Sequence, residues 1–200
     1  MPKNIYKLKD GTLVPGVTTI INQLDKPALI QWAWKLGKEG KDWKTERDSA
    51  GDIGTLVHEI IMEFLSGGQF PDSMPSPIDK CIDNFEGWYE KEIGFCEPKM
   101  IIEQPLVSEK YGFGGQPDIF IADGNRLIDI KTGGKWVYPE WWIQLAGYSI
   151  LLQEAGYKVK SYQILWLPKD GKFDCPIRTD LRKEKKKFKL LLEYYKLDHS

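Results

Sequence analysis

Two aspartates and a lysine between positions 118 and 131 have the types and spacing of hydrolytic residues. Gly115-Gln116-Pro117-Asp118-Ile119-Phe120-Ile121-Ala122 is followed by Asp123-Gly124-Asn125 and then by Arg126-Leu127-Ile128-Asp129-Ile130-Lys131. Asp-Gly between two apolar, β-branched runs is a hairpin signal. Side chains alternate along a strand, so Ile119, Ile121, Ile128 and Ile130 share one face. Asp118, Phe120, Leu127, Asp129 and Lys131 share the other. A two-residue turn at 123–124 pairs 118 with 129, and one at 124–125 pairs 118 with 131. Either register sets Asp118 beside Asp129 and Lys131, whereas a three-residue turn breaks the parity. Carboxylates placed across a hairpin repel unless a cation lies between them. Such oxygens suit Mg²⁺ or Mn²⁺. A neighbouring lysine can orient a water or steady developing negative charge. Metal, water and lysine together suit phosphodiester hydrolysis. A second reading stays open: a solvent-facing edge on which Asp118 and Lys131 form a surface ion pair.

The spacing alone decides nothing. An acid two residues before a lysine occurs six times in the chain: Glu39/Lys41, Asp42/Lys44, Glu97/Lys99, Asp129/Lys131, Asp170/Lys172 and Glu184/Lys186. Only the Asp129 copy lies in an apolar strand with a second acid across a hairpin.

Several elements must position these residues. Residues 5–14 suggest a short hairpin or edge strand, ended by Pro15-Gly16. Helices are expected over 17–24 and 27–36, then a charged loop or exposed helix over 37–49. Val57, Ile60, Ile61, Phe64 and Leu65 have helical spacing within 54–65, stopped by Gly67-Gly68. Residues 69–78 carry three prolines and suggest a loop, and 82–93 a helix. Strands are expected over 100–107, 115–122, 126–131 and 159–167. Helices are expected over 139–154 and 180–197. The order predicts an α/β (mixed α+β) fold, a central mixed sheet flanked by helices.

Four separated pieces resemble the PD-(D/E)XK nuclease superfamily, in its RecB-like exonuclease branch. Gly54-Thr55-Leu56-Val57-His58 is similar to a helix carrying a metal-binding histidine. Gly115-Gln116-Pro117-Asp118 is similar to the first acidic motif, and Asp129-Ile130-Lys131-Thr132 to the Asp-x-Lys core. Gln144-Leu145-Ala146-Gly147-Tyr148 is similar to the Gln-x-x-x-Tyr motif on the next helix. Residues 14–21, Val-Pro-Gly-Val-Thr-Thr-Ile-Ile, resemble the opening of phage-type members and of the mitochondrial genome maintenance exonucleases.

The resemblance implies a restriction-endonuclease-like core and a DNA exonuclease leaving 5′-phosphate ends. A structure-specific endonuclease of this fold and a non-cleaving nucleic-acid-binding module are the alternatives. It implies one or two Mg²⁺ or Mn²⁺ ions held by Asp118, Asp129, His58 and the main-chain carbonyl of Ile130. Glu103 on the preceding strand is a further candidate ligand, with Glu97 and Glu109 nearby. Lys131 would act on the attacking water. Gln144 and Tyr148, one helical turn apart, would position DNA or the catalytic groups. Against this, a lone His58 among Ile61, Met62 and Leu65 fits a core histidine, and a bare Gln144/Tyr148 pair fits packing.

Composition sets outer limits. The 200 residues hold 28 Lys+Arg against 29 Asp+Glu, 42% hydrophobic and 28% charged. That excludes low-hydrophobicity disorder and a uniformly basic nucleic-acid coat. No apolar run is long enough to span a membrane, and none near the N-terminus resembles a signal peptide. Three scattered cysteines, Cys81, Cys96 and Cys175, fit packing residues in a reducing cytosol. They are too few for the four-cysteine iron–sulfur cluster of related branches. The expected location is cytoplasmic, the host cytoplasm where the source is a phage.

Seven basic residues and two acidic ones lie between 178 and 189. Arg182, Lys183, Lys186 and Lys187 there, with Trp32 and Trp34 beside a second basic stretch at 35–47, are candidate nucleic-acid contacts. A solvated helix face and ordinary core or rim packing are the other readings. No Walker-type loop occurs, so unwinding would need another protein. A recombination or single-strand-binding partner is expected beside DNA. The chain is expected to form a single nuclease domain: a helical part over 1–95, a catalytic sheet and helix over 96–170, and a basic helix over 171–200.

Overall fold

The computed structural model describes residues 5–94, 96 and 98–199. β1 (Tyr6–Lys7) and β2 (Leu13–Val14) form the expected N-terminal hairpin. Helices α1 (Val17–Ile21), α2 (Pro27–Lys38), α3 (Trp43–Leu65) and α4 (Ser76–Glu92) follow. Next come strands β3 (Met100–Ile102), β4 (Leu106–Ser108), β5 (Phe113–Gly115), β6 (Ile119–Ile121) and β7 (Arg126–Lys131). Helix α5 (Pro139–Glu154), β8 (Ser161–Trp166), β9 (Ile177–Arg178) and α6 (Arg182–Asp198) complete the order.

The central sheet runs β3-β6-β7-β8-β9, and β4 pairs with β5 in a small sheet of its own. Only β7 and β8 are parallel, joined through α5; the other central pairs are antiparallel. A parallel pair needs such a crossover, and α5 supplies it.

Helices bury both faces of the sheet. Phe120 and Leu127 pack into one core with Trp142, Leu145, Tyr148 and Leu151 of α5, Val17 and Ile20 of α1, and Phe188 of α6. Ile119, Ile121, Ile128 and Ile130 pack into the other with Val57 and Ile61 of α3 and Ile82, Phe85 and Trp88 of α4. The mixed α/β sandwich expected from the element order is present. The hairpin also takes one of the two expected registers. Ile119 faces Ile128 and Ile121 faces Arg126, so residues 123–124 form the turn. Asn125, with φ of +53°, takes the left-handed position there rather than Gly124. Asparagine tolerates this better than most residues.

Five expectations need correction. The strand over 100–107 is broken at Glu103, whose φ is +43°. The run over 115–122 is interrupted at 116–118, where Pro117 has no N–H to give a ladder. Helix α3 begins eleven residues before Gly54, because the Asp42 side chain accepts from Lys44 N and Thr45 N and caps it. Such a cap contributes about 1 kcal/mol. Helix α4 starts inside the proline-rich loop, with Pro77 in its first turn, where a missing N–H does no harm. Cys81 is buried and Cys175 partly so, but Cys96 is exposed and does not pack.

Candidate active site

Asp118 lies one residue beyond β6. Its backbone carbonyl accepts from Glu103 N (3.0 Å) and its Oδ2 from Ile130 N (2.7 Å). The side chain thus takes the ladder place that a backbone carbonyl would hold. Asp129, in the middle of three sheet neighbours, is fully buried. Lys131 Nζ stands 2.5 Å from Asp129 Oδ2. Apart from that ammonium, neither Asp129 oxygen has a hydrogen-bond donor among the described residues. Buried carboxylates are normally hydrogen-bonded, so this pair is exceptional.

Helix α3 closes the site from the other side of the sheet. His58 Nε2 lies 3.1 Å from the Ile130 carbonyl oxygen, and Nδ1 lies 3.9 Å from Asp118 Oδ2. A carbonyl only accepts, so Nε2 carries the proton. Burial and the Lys131 charge hold His58 below the ordinary histidine range. The ring is therefore neutral, with the Nδ1 lone pair facing Asp118. The helix approaches this closely because Gly54 has no side chain: a Cβ there would sit 3.0 Å from Thr132 Oγ1.

Helix α5 supplies the opposite wall. Gln144 Nε2 donates to Tyr148 Oη at 3.0 Å, as their one-turn spacing predicts. Burial first, then Asp129 and Asp118, pushes the Tyr148 hydroxyl well above the usual tyrosine range. It stays protonated and keeps a proton to donate. Gly115 leaves room for this ring: a Cβ there would meet Tyr148, Leu151 and Val17 at 2.9 Å each. Gly115→Ala should therefore lower stability by about 1–3 kcal/mol, read as an earlier urea midpoint.

Electrostatics tie the cluster together. Burial raises Asp129 to about 6, opposed by Lys131 and assisted by Asp118. Burial also raises Asp118, against the pull of Lys131 and the Ile130 N–H. Glu103 is raised by burial and then by Asp118, while His58 acts the other way. Glu103 thus belongs electrostatically to the cluster. Glu109 does not; it accepts from Lys9 N at 3.0 Å. Glu97 lies outside the described residues.

Among the described residues, no three His, Cys, Asp or Glu side chains converge as a ready metal cage. The cation this arrangement already holds is the Lys131 ammonium. The donor set nevertheless fits a hard divalent ion. Asp129 offers two oxygens whose one close donor is the Lys131 ammonium, Asp118 offers a carboxylate that accepts from Ile130 N through Oδ2 alone among the described residues, and His58 offers a neutral nitrogen.

No protein-family model matches the sequence, and no curated protein matches it. Among solved structures, a proposed exonuclease from Eubacterium rectale is 17% identical, with a TM-score of 0.48 over 71% of this chain and 64% of that one. SSO0001 is 14% identical, with a TM-score of 0.46 over 88% and 71%. An alkaline exonuclease from Laribacter hongkongensis is 14% identical, with a TM-score of 0.44 over 70% and 76%. This chain spans less than two thirds of the first of these proteins. Identities this low carry no residue roles across.

The candidate nucleic-acid contacts lie apart from the cluster. Among the described residues, no hydrogen bond, ion pair or ring contact joins Trp32, Trp34, Arg182, Lys183, Lys186 or Lys187 to Asp118 or Asp129. Trp34 is 64% exposed, with Lys38 Nζ 3.9 Å from its ring centroid, and Trp32 is half-buried. Arg182 pairs with Asp180 at 2.8 Å, while Lys183, Lys186 and Lys187 are exposed on α6. On the same helix Lys185 lies over Tyr162, whose strand position pairs with Leu127, four residues from Lys131. The first turns of α6 therefore meet the sheet near the end away from Lys131.

Nearer the cluster, the segment after Lys131 carries an aromatic group. Trp136 meets Tyr138 at 5.6 Å, and Tyr138 meets Trp141 at 5.1 Å. Tyr6 is a neighbour that no sequence pattern marks. Its ring covers Gly114 and Gly16, next to the Gly115 that makes room for Tyr148. No described helix is long and apolar enough to cross a membrane.

Proposed function

We propose that this chain is a divalent-metal-dependent DNA nuclease of the PD-(D/E)XK type, acting as an exonuclease that leaves 5′-phosphate ends. One observation carries the reading. A fully buried carboxylate, Asp129, stands on the hairpin beside the largely buried Asp118 with a lysine and a neutral histidine, and apart from the Lys131 ammonium its oxygens have no hydrogen-bond donor among the described residues. A purely structural ion pair gains little from such burial, because desolvation offsets the Coulomb attraction. Asp118, Asp129 and His58 Nδ1 would hold Mg²⁺ or Mn²⁺, with Glu103 and the second lone pair of the Ile130 carbonyl as further donors. Bound there, the metal would polarise the scissile phosphate and acidify a water.

The chain's own groups have separable tasks. Lys131, carried on the strand end and 19% exposed at its side chain, orients a water and faces charge developing on the phosphate. Tyr148, held by Gln144, donates into the same space. His58, oriented by the Ile130 carbonyl, turns its Nδ1 lone pair toward the same space as a metal donor. The exposed Trp34 and the α6 lysines would contact nucleic acid outside the reacting site. The single-domain organisation and cytoplasmic setting are part of the same reading.

End-labelled linear DNA and covalently closed circular DNA, incubated with Mg²⁺ or Mn²⁺, test it. Linear DNA should be shortened from an end and the circle left intact. EDTA should stop the reaction and added metal restore it. Metal-independent cleavage, or none with either ion, would overturn the reading. Cutting of the circle would make the enzyme an endonuclease.

A further inference from the structure

A pocket of about 470 Å³ opens at the surface of the α3–α4 pair, lined by Phe64, Phe70, Glu86, Tyr89, Glu90 and Gly94. Its walls are aromatic. The Phe64 and Phe70 rings stack at 4.3 Å, and Tyr89 meets Phe64 edge-on at 5.3 Å. Its rim is anionic, with Glu86 and Glu90 exposed one helical turn apart. Behind them Asp79 and Asp83 extend the same face of α4, since spacings of three and four stack along a helix. Among the described residues, none of these four acids has an ion-pair partner.

Like charges at this spacing repel, so the free protein keeps an uncompensated negative stripe beside an open aromatic pocket. Phosphate backbones would be repelled from it. A purely apolar ligand would leave the carboxylates without a partner. The complementary chemistry is a long side chain that is apolar along its stem and cationic at its tip. Aromatic faces attract such cations.

We propose that this pocket docks a basic, apolar-interleaved segment of a partner protein. A Lys or Arg stem lies on Phe64, Phe70 and Tyr89, and its cationic head meets Glu86 and Glu90. The docking face is formed by α4 and the C-terminal end of α3. Phe64 lies six residues beyond His58, about 9 Å further along that helix. The inference does not depend on the nuclease reading, and its test uses neither DNA cleavage nor metal.

Three short fluorescein-labelled peptides serve as probes: alternating Arg and Leu, Gln and Leu, and Glu and Leu. In anisotropy titrations the Arg–Leu peptide should bind the wild-type chain at least about tenfold more tightly than the other two, a difference of roughly 1.4 kcal/mol. Glu86→Gln/Glu90→Gln should remove that preference without lowering the unfolding midpoint. Phe70→Ala should weaken the Arg–Leu peptide as well, which charge attraction alone would not produce. Equal binding by wild type and the double Gln variant overturns the proposal. Self-association in sedimentation that is lost in the double variant makes a second copy the occupant, and also overturns it.

Discussion

Lys131→Ala should reduce Mg²⁺-dependent DNA cleavage by roughly a thousandfold or more, the scale on which removal of a group facing the developing charge is felt. Among the described residues the lysine is also the one cation paired with Asp129, at 2.5 Å. Its loss strands a buried carboxylate, which is strongly destabilising when no other cation is available. A fall in activity alone would therefore not separate catalysis from folding. Divalent metal separates them. If the site holds an ion, Mg²⁺ replaces the lost positive charge. It should then raise the melting temperature of Lys131→Ala by more than that of wild type, yet cleavage should stay lost. Wild-type rates in this variant would remove Lys131 from the chemistry. An inactive variant with no extra metal stabilisation would leave the lysine a structural counter-ion only.

Where one rule governed the residues, the fold was legible before any coordinates. Asp-Gly between alternating strands confined the hairpin to few registers, and the observed one joins Ile119 to Ile128. Parity then set Asp118 beside Asp129 regardless of which two-residue turn formed. Pro139 and Gly156 bracketed α5, so Gln144 and Tyr148 could be placed on one helix face. Where two influences competed, the reading slipped. Residues 43–53 have no apolar period, because that half of α3 buries little beyond parts of Trp43 and Ile53, and its helicity comes from the Asp42 cap and the continuous packed half. The break at Glu103 depends on a left-handed backbone that an acidic residue does not advertise. Tyr6 packs over Gly114, beside the Gly115 that accommodates Tyr148, from a two-residue strand more than a hundred residues away in sequence. The basic residues of α6 were visible as a run, but their place near the far end of the sheet depends on how α6 crosses α5. Composition does not encode that crossing.

The second large effect concerns pH and stability together. Asp129 sits near 6 in the fold because burial disfavours its charge, whereas a free aspartate titrates near 3.8. Between those values the folded chain holds more protons at this site than the unfolded chain. Linkage then makes stability fall as pH rises from about 4 to about 6, and level off above. The integrated loss is on the order of 3 kcal/mol. Asp118 and Glu103, also raised by burial, act in the same direction. His58 acts oppositely, since its lowered value makes stability fall as pH drops below about 6.5. Asp129→Asn isolates the first contribution. Measured by urea unfolding without metal, the variant should gain on wild type steadily from pH 4 to pH 7 and be the more stable protein at neutrality. Millimolar Mg²⁺ should close the gap by stabilising wild type alone, while cleavage is lost only in the variant. A gap that stays flat from pH 4 to pH 7 would mean that the fold does not penalise this charge. The carboxylate would then lack the unmet demand for a cation on which the metal site depends. The opposite outcome would identify a charge that the metal-free fold penalises as one kept for binding metal, a trade of stability for function at a single buried residue.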